Sequence, residues 1–504
     1  MTLADQTAQA GREARQITTY RPVDGEPVAS YPVADAAQVG IAVTSARDGA
    51  RWWREQGFAG RRAHLLRWKS HVALRARELA DLIAAETGKP ADDALLEVML
   101  TLGHLDWAAK NAARVLRRRR VRAGLVNYNQ HATVGYEPYG VVGVIGPWNY
   151  PLYTPMGSIS YALAAGNAVV FKPSELTPGP AVWLAERWRE AVGHDVLVAV
   201  TGDGATGAAL VAADVDKVAF TGSTATAKKV MAAAAERLVP IVAECGGKDA
   251  LLVAADADLD AAADFVVFGA MGNAGQTCVG VERVYVVETV RDALVSRVVE
   301  RAGRLRTSGA DAQYGPMTLP AQADVVRRHV EDAVRSGTAV LGGTESVHGR
   351  VIDPIVVTDV DEHSLAVRHE TFGPLVVINT VTSLEEAVER ANATPYGLGA
   401  AVFTKDARAA SAAADALRAG VVTVNSVLGF AAVAALPFGG VKESGFGRIH
   451  GADGLREFST VKSVARQTRK AALNLLTMDR TEKDMHLVAR MIPLLHGRSK
   501  GSRG

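Results

Sequence analysis

Cysteine is scarce: two residues, Cys245 and Cys278, in a chain of 504. With no C-x-x-C pair, neither a disulfide framework nor a zinc–thiolate site is expected, and a reducing cytoplasm is the natural home. Long apolar runs are missing as well. No uninterrupted stretch approaches the ~18 residues needed to span a bilayer, and the closing MIPLLHGRSK could at most brush a surface. The opening MTLADQTAQAGREARQ carries acids and no apolar segment, so it does not read as a secretory signal. Excess charge of one sign is also lacking. A net charge of +2 gives no general reason to bind nucleic acid. The one dense basic run, Arg117 to Arg120 with Arg114 and Arg122 beside it, reads as a solvated face or an inter-subunit patch.

What is present is the composition of a globular protein, 48% apolar and 22% charged. The chain is too long for one core, so at least two domains of roughly 150–250 residues are expected. The first third reads as helical. Leu65, Leu66, Val72, Leu79, Leu82 and Ile83 recur at helical spacing between Arg61 and Glu86, Gly88 and Pro90 supply a stop, and a second helix follows from Asp93 to about Val115. Leu125 to Tyr139 then has the turn residues and alternation of an exposed hairpin. From Val141 short β-branched runs alternate with helical ones: VVGVIG, AVVFKP, VLVAV, KVAFTG and VPIVAE, with helices between them. That alternation is the signature of βαβ units in an open parallel sheet. It resumes after Glu244 with DALLVA, RVYVV, AAVFTK and VVTVN, which predicts a second α/β domain. The tail beyond about Lys462, rich in Arg and Lys, looks loosely specified.

Three strand ends carry ligand chemistry. GDGATG, Gly202 to Gly207, fits G-x-G-x-x-G, but the next strand ends in Phe220-Thr-Gly222 without the acid that the ordinary dinucleotide fold places on the ribose. FTGSTATA opens a helix whose N-terminal amides could receive a pyrophosphate. FKPSE leaves its strand with Lys172 and Glu175 three positions apart, suited to ribose hydroxyls. Each alone reads as an ordinary βα turn; together they favour a nucleotide site.

Cys278 follows the run Phe265 to Met271, which is built for burial, and sits in NAGQTCV among residues that make poor core. A free cysteine is commonly a small buried hydrophobe. As a nucleophile it would need a base and an oxyanion donor. Asn149, in PWNYP between Pro147 and Pro151, is a candidate donor, and Glu244, before Gly246 and Gly247, is a candidate base or a structural acid.

These residues carry a resemblance. GPWNYPL, GNAVVFKPSELTP, FTGST, ECGGKD, GNAGQTC, ETFGPL, TPYGLGAAVFTKD and PFGGVKESGFGR stand in the order of the NAD(P)-dependent aldehyde dehydrogenase superfamily, and the similarity runs from about residue 20 to about 465. It implies an α/β fold with two open-sheet domains, a Rossmann-like cofactor domain and a catalytic domain, and a β-hairpin oligomerisation arm. The expected limits are 1–125 and 142–244 for NAD binding, 245–445 for catalysis, 126–141 and 446–465 for the arm, and 466–504 for a C-terminal tail. By resemblance Cys278 is the nucleophile, Glu244 the base for the deacylating water, and Asn149 with the Cys278 amide the oxyanion hole. The same resemblance gives the adenosine ribose to Lys172 and Glu175, the pyrophosphate to Gly222 and Ser223, and the nicotinamide ribose to Glu370 with Phe372 beside it. Pro147, Trp148, Ser174, Gly202 and Gly246 complete the expected cofactor set; no metal is implied, and His369 with Glu370 is not a zinc-protease signature.

Two positions depart from the family pattern. Ala227 replaces the last glycine of G-S-T-x-x-G, and Cys245 stands where leucine is common, as an inert core thiol or a redox partner for Cys278. A carboxylate at Glu175 would repel a 2′-phosphate, so NAD is expected over NADP. Ser426 to Leu436, resembling the loop that borders the aldehyde tunnel, has no Arg, Lys, Asp or Glu. That favours a hydrophobic aliphatic or aromatic aldehyde over a charged semialdehyde, unless the loop is simply core. The alternatives are a succinate-semialdehyde dehydrogenase, a coenzyme A-acylating dehydrogenase, which generally lacks the Glu244 base, an esterase side activity, and a non-catalytic structural homologue. By resemblance the arm around Asn127 to Tyr139 would pair across subunits into a homodimer or homotetramer.

Overall fold

The computed structural model describes residues 15–497 except 125–126, 310, 472 and 474. The chain divides into two compact units, Met1–Leu116 with Pro138–Thr460, and Arg117–Glu137 with Val461–Gly504.

The larger unit holds two principal sheets. One has six strands in the order Gly445–Phe446, Ile241–Glu244, Lys217–Thr221, Val141–Ile145, Ala168–Lys172, Leu197–Ala199, all parallel except the first. The other has seven, in the order Thr338–Leu341, Ile355–Thr358, Leu375–Val381, Val281–Val287, Asp249–Val253, Gly399–Phe403, Val421–Val424, with only the first antiparallel to its neighbour. Central parallel strands are covered on both faces, which is why Ala168–Lys172, Asp249–Val253 and Val281–Val287 are mostly apolar and are buried at every position, the charged Glu282 and Arg283 included. The helices between them start on side-chain caps: Asp258 accepts from the Asp260 and Ala261 amides ahead of Leu259–Met271, and Ser223 accepts from Thr226 N ahead of Thr224–Ala235.

Several local expectations change. The helical stretch from Arg61 to Glu86 is two helices, Gly57–Leu74 and Ala76–Thr87, because Arg75 leaves the helical region at φ −120°. A hairpin, Gln16–Tyr20 with Pro27–Pro32, and a long helix, Ala36–Glu55, precede them. The hairpin expected over Leu125 to Tyr139 is a single strand, Gln130–Pro138, paired with Arg119–Val121; residues 125–126 lie outside the described residues. Arg119 and Arg120 of the arginine run thus lie on an edge strand, where charge discourages further pairing. Ser459–Gln467 lies on the other side of Gln130–Pro138. The tail is better specified than expected, since Thr481 and Asp484 form a capping box that opens a helix, Glu482–His496. Among the described residues no helix is long and apolar enough to cross a membrane.

Candidate active site

In the six-stranded sheet Val141–Ile145 lies between Ala168–Lys172 and Lys217–Thr221, so the chain leaves it in one direction and returns on its other side. Such a switch point opens a crevice at the carboxyl ends of the strands. The segments emerging there are Gly146 to Asn149, Ser174 with Glu175, and Gly222 with Ser223, and they line a cleft of about 850 Å³. Lys172, Gly246, Glu370, Phe372, Cys245 and Cys278 complete its wall. Gly202 is not on this wall. Its glycine is needed locally, at φ +150° and with a Cβ position 2.0 Å from Thr206 Oγ1, so GDGATG contributes Gly204 and Gly207 instead.

The cleft fits a dinucleotide. Lys172 is buried with its Nζ 3.4 Å from the half-exposed Glu175 carboxylate, whose remaining acceptor sites suit a ribose diol. Gly222 and Ser223 present the N-terminus of Thr224–Ala235, whose dipole suits a pyrophosphate. Ala227 packs with Phe220, Ala243 and Cys245, so the methyl that replaces glycine is absorbed by the core. Farther along the cleft, Trp148 meets Phe372 edge-on at 5.5 Å. Glu370 accepts from Gly247 N at 3.1 Å. A Cβ at Gly246 would lie 2.2 Å from that carboxylate, so any larger residue would push Glu370 out of its present position. Burial, with the Glu282 charge beside it, pushes the Glu370 carboxyl up to about 8.

The thiol loop is strained. Asn273, Ala274 and Gly275 have φ of 53°, 56° and 69°, three left-handed residues in succession, costing roughly 1–3 kcal/mol for each non-glycine residue. Neighbours over-determine this conformation. Gln276 Nε2 donates to Asn273 O at 2.9 Å, Asn273 Nδ2 donates to Gln276 O at 3.2 Å, and Gln276 Oε1 accepts from Thr318 N at 2.9 Å. Gly275 presses on the Gly373 carbonyl, 2.2 Å from where a Cβ would stand.

Asn149 Nδ2 donates to Gln276 O at 2.9 Å, which brings it beside the thiol loop with a second N–H to spare. Its own carbonyl accepts from Lys89 Nζ at 2.9 Å and from Asn273 Nδ2 at 3.2 Å. Lys89 is in turn paired with Glu97 at 2.7 Å, both side chains 1% exposed. Glu97 also accepts from the Leu152 and Tyr153 amides at 2.9 Å. Burial pushes the Cys278 thiol well up, and the Glu370, Asp249 and Glu244 carboxyls add to this, so the resting group is protonated. Glu244, at the end of its strand, is buried with neither oxygen hydrogen-bonded within the described residues. Burial holds it well above the ordinary carboxylate range, against the pull of Arg448. An unpartnered buried carboxyl is costly; here it faces a cavity that Cys278 also lines.

That second cavity, about 300 Å³, is the other side of the thiol. Leu96, Leu100, Tyr150, Tyr153, Phe268 and Val427 to Ala431 wall it. Its loop is tethered through carbonyls: His104 Nε2 bonds Ala431 O at 2.8 Å, Tyr153 OH donates to the same oxygen at 3.2 Å, and Tyr161 OH donates to Ala434 O at 3.0 Å. Of the expected wall Ser426 to Leu436, only Val427 to Ala431 line the cavity, while Val433 and Leu436 are exposed. Charges do reach the opposite wall as Lys89, Asp93 and Glu97, but the lone lysine is committed to Glu97 and Asn149 O. Burial keeps His450 neutral, its pKa well below the ordinary histidine value. Among the described residues, then, no free cation lines this side.

The profile of the aldehyde dehydrogenase family matches residues 9–464. The chain belongs to that family. As a member it is an NAD(P)-dependent oxidoreductase acting on the aldehyde group. It is 38% identical over 448 residues to a 4,4'-diapolycopene aldehyde oxidase of Methylomonas sp, covering 88% of this chain and 84% of that one. It is 35% identical over 472 residues to a putative succinate-semialdehyde dehydrogenase [NADP(+)] of Mycolicibacterium smegmatis, with 92% and 90% covered. An NAD-dependent aldehyde dehydrogenase from Sinorhizobium meliloti superposes with a TM-score of 0.87 at 34% identity, covering 92% of this chain and 93% of that one. An NADP-dependent glyceraldehyde-3-phosphate dehydrogenase from Bacillus halodurans, complexed with NADP, does so with 0.85 at 29%, covering 91% and 97%.

Sequence reasoning missed the supports. Lys89 with Glu97 holds Asn149. Lys248 pairs with Glu282, whose carboxylate accepts from the Thr371 and Phe372 amides at 2.8 Å and so fixes the segment that carries Glu370. Lys248 lies in ECGGKD, next to a residue singled out, but nothing in the sequence pairs it with an acid over thirty positions away. Cys245 and Cys278 are both free thiols. Cys245 sits in the apolar cluster named above and is pushed up to about 11 mainly by burial, as an inert core thiol would be.

Proposed function

We propose that this enzyme oxidises apolar aliphatic or aromatic aldehydes to carboxylic acids, with Cys278 as nucleophile, Glu244 as base and Asn149 with the Cys278 amide as oxyanion hole. The observation that carries the substrate class is the tunnel side of Cys278, apolar and aromatic with its one lysine already paired. A semialdehyde carboxylate would be desolvated there without a partner. Succinate semialdehyde is the competing substrate, favoured by a relative's name alone.

The chemistry follows from the geometry. Ionised Glu244 takes the thiol proton, and sulfur bonds the aldehyde carbon to give a tetrahedral thiohemiacetal. The spare N–H of Asn149 holds the oxyanion, held in place itself by Lys89 and Gln276. When bound, the nicotinamide supplies the acceptor for the hydride that leaves this carbon. A thioester on Cys278 remains. Glu244 gives the proton it took from the thiol to solvent and, ionised again, takes one from water as it attacks the thioester; the C–S bond breaks, the acid departs, and Glu244 returns that proton to the thiolate. Retention of Glu244 on the tunnel disfavours transfer to coenzyme A. Lys172, Ser174, Glu175, Gly222, Ser223, Glu370 and Phe372 would hold the dinucleotide, with NAD preferred because Glu175 opposes a 2′-phosphate. Residues 1–125 and 142–244 then form the cofactor domain and 245–445 the catalytic domain. The arm of 126–141 and 446–465 would pair subunits into a cytoplasmic homodimer or homotetramer, with 466–504 a separate tail.

The test is NADH formation by the purified enzyme across acetaldehyde to decanal, benzaldehyde and succinate semialdehyde, with NADP and Cys278→Ala as controls. Rates that rise with chain length and vanish in the variant are expected. Higher kcat/KM for succinate semialdehyde than for hexanal would overturn the substrate class.

A further inference from the structure

The helix Glu482–His496 has no buried residue. At about 100° per residue, Met485, Leu487, Val488, Ile492, Leu494 and Leu495 fall on one half of its circumference, and Leu494 is 80% exposed. Lys483 and Arg490 flank one edge of that half, with His486 beyond them. The one acid inside it, Asp484, is spent on the cap, accepting from Thr481 N and Oγ1 at 2.8 Å. Just ahead, Leu476 and Met478 are 91% and 92% exposed. Charge is as uneven as hydropathy. From Lys462 to the end the sequence has ten Lys and Arg against three Asp and Glu, whereas the whole chain carries only +2, so the remainder is net acidic.

We propose that the segment Leu476 to His496 is a docking surface for an anionic lipid bilayer, the helix lying in the interface plane with its apolar half among acyl chains and its cations at the headgroups. Cations at the border of an apolar face can extend to the headgroups while their stems stay in the apolar layer, and a polybasic neighbourhood adds long-range attraction that a neutral surface does not return. The charge is what selects this occupant. Tail-to-tail pairing of two copies would set charges of the same sign against each other, whereas anionic lipid complements them. The inference rests on the helix face and its charge, not on the substrate assignment; if both hold, aldehydes dissolved in the bilayer are delivered where they partition.

The experiment uses the full-length protein with vesicles of phosphatidylcholine, or of phosphatidylcholine and phosphatidylglycerol in equal parts, in a flotation assay with light scattering in parallel. Flotation with the anionic vesicles alone is expected, released by high salt, abolished in Ile492→Asp/Leu495→Asp, and weakened about fivefold for each of Lys483→Gln and Arg490→Gln. Thermal midpoint and turnover of a short soluble aldehyde should stay unchanged in all of them. No flotation of the parent with anionic vesicles, or flotation indifferent to Ile492→Asp/Leu495→Asp, overturns the proposal. So does a fall in oligomer mass in that variant without any vesicle binding by the parent, which would make the helix a contact between copies.

Discussion

Two loops meet at Cys278 and are held in different ways. The thiol loop, Asn273 to Cys278, is over-determined: a strained left-handed run is locked by its own side chains, by Asn149, by Thr318 N and by the closeness of Gly373. The tunnel loop is tethered at Ala431 and Ala434 by ring groups of His104, Tyr153 and Tyr161 that bond backbone carbonyls. A side chain on the tunnel loop can therefore change without disturbing its tethers, whereas almost any change in the thiol loop removes a support. On the proposed mechanism, chemistry is fixed by the first loop, and the second leaves substrate choice open to variation.

The sharpest way to break the comparison is Lys89→Met. It strands the fully enclosed Glu97 carboxylate and frees the Asn149 carbonyl, so a loss of roughly 3–5 kcal/mol in denaturant unfolding is expected, together with lost turnover for every aldehyde. Asn149→Ala should lower kcat by about 10²–10³-fold in single-turnover kinetics while binding of NAD, followed by calorimetry, stays intact. An equal loss of NAD affinity would place Asn149 in the cleft rather than at the oxyanion.

Protonation gives a third test. Glu370 binds its proton more tightly folded than unfolded, so its contribution to stability is most favourable below the ordinary carboxylate range and is lost as pH rises toward about 8. The melting temperature of Glu370→Gln should accordingly gain on the parent between pH 5 and 8 and level off above. Glu244, raised likewise, must ionise to act; kcat should climb with pH on its alkaline side, and Glu244→Gln should abolish the climb. The smallest effect is expected at the tunnel loop. Tyr153→Phe removes one of two bonds to Ala431 O, worth about 1 kcal/mol, and should raise KM for decanal several-fold while kcat for acetaldehyde is unchanged. A large kcat loss there would show the two loops to be one unit.

Much of the site was legible. Glu244, Asn149 and Glu175 stand in local motifs at or just after strand ends, Cys278 and Glu370 in motifs that follow helices, and the alternation of strands and helices foretold both parallel sheets. The tail was misjudged because its helix is amphipathic without burial and lacks the periodicity of a core element, whereas the arginine run is exposed as expected. Gly202 was placed on the cofactor because its motif is local, yet its glycine answers to Thr206.

The sequence by itself determined the family, the strand–helix order and the residues proposed to react, because turn chemistry and apolar patterning are properties of neighbours along the chain. Only the tertiary structure decided that Lys89 belongs to Glu97 and not to a substrate, that Glu244 has no hydrogen-bond partner among the described residues, and that Arg119 and Arg120 stand on an edge strand. Buried charges take their meaning from what lies beside them in space, and residues far apart in sequence supply that environment.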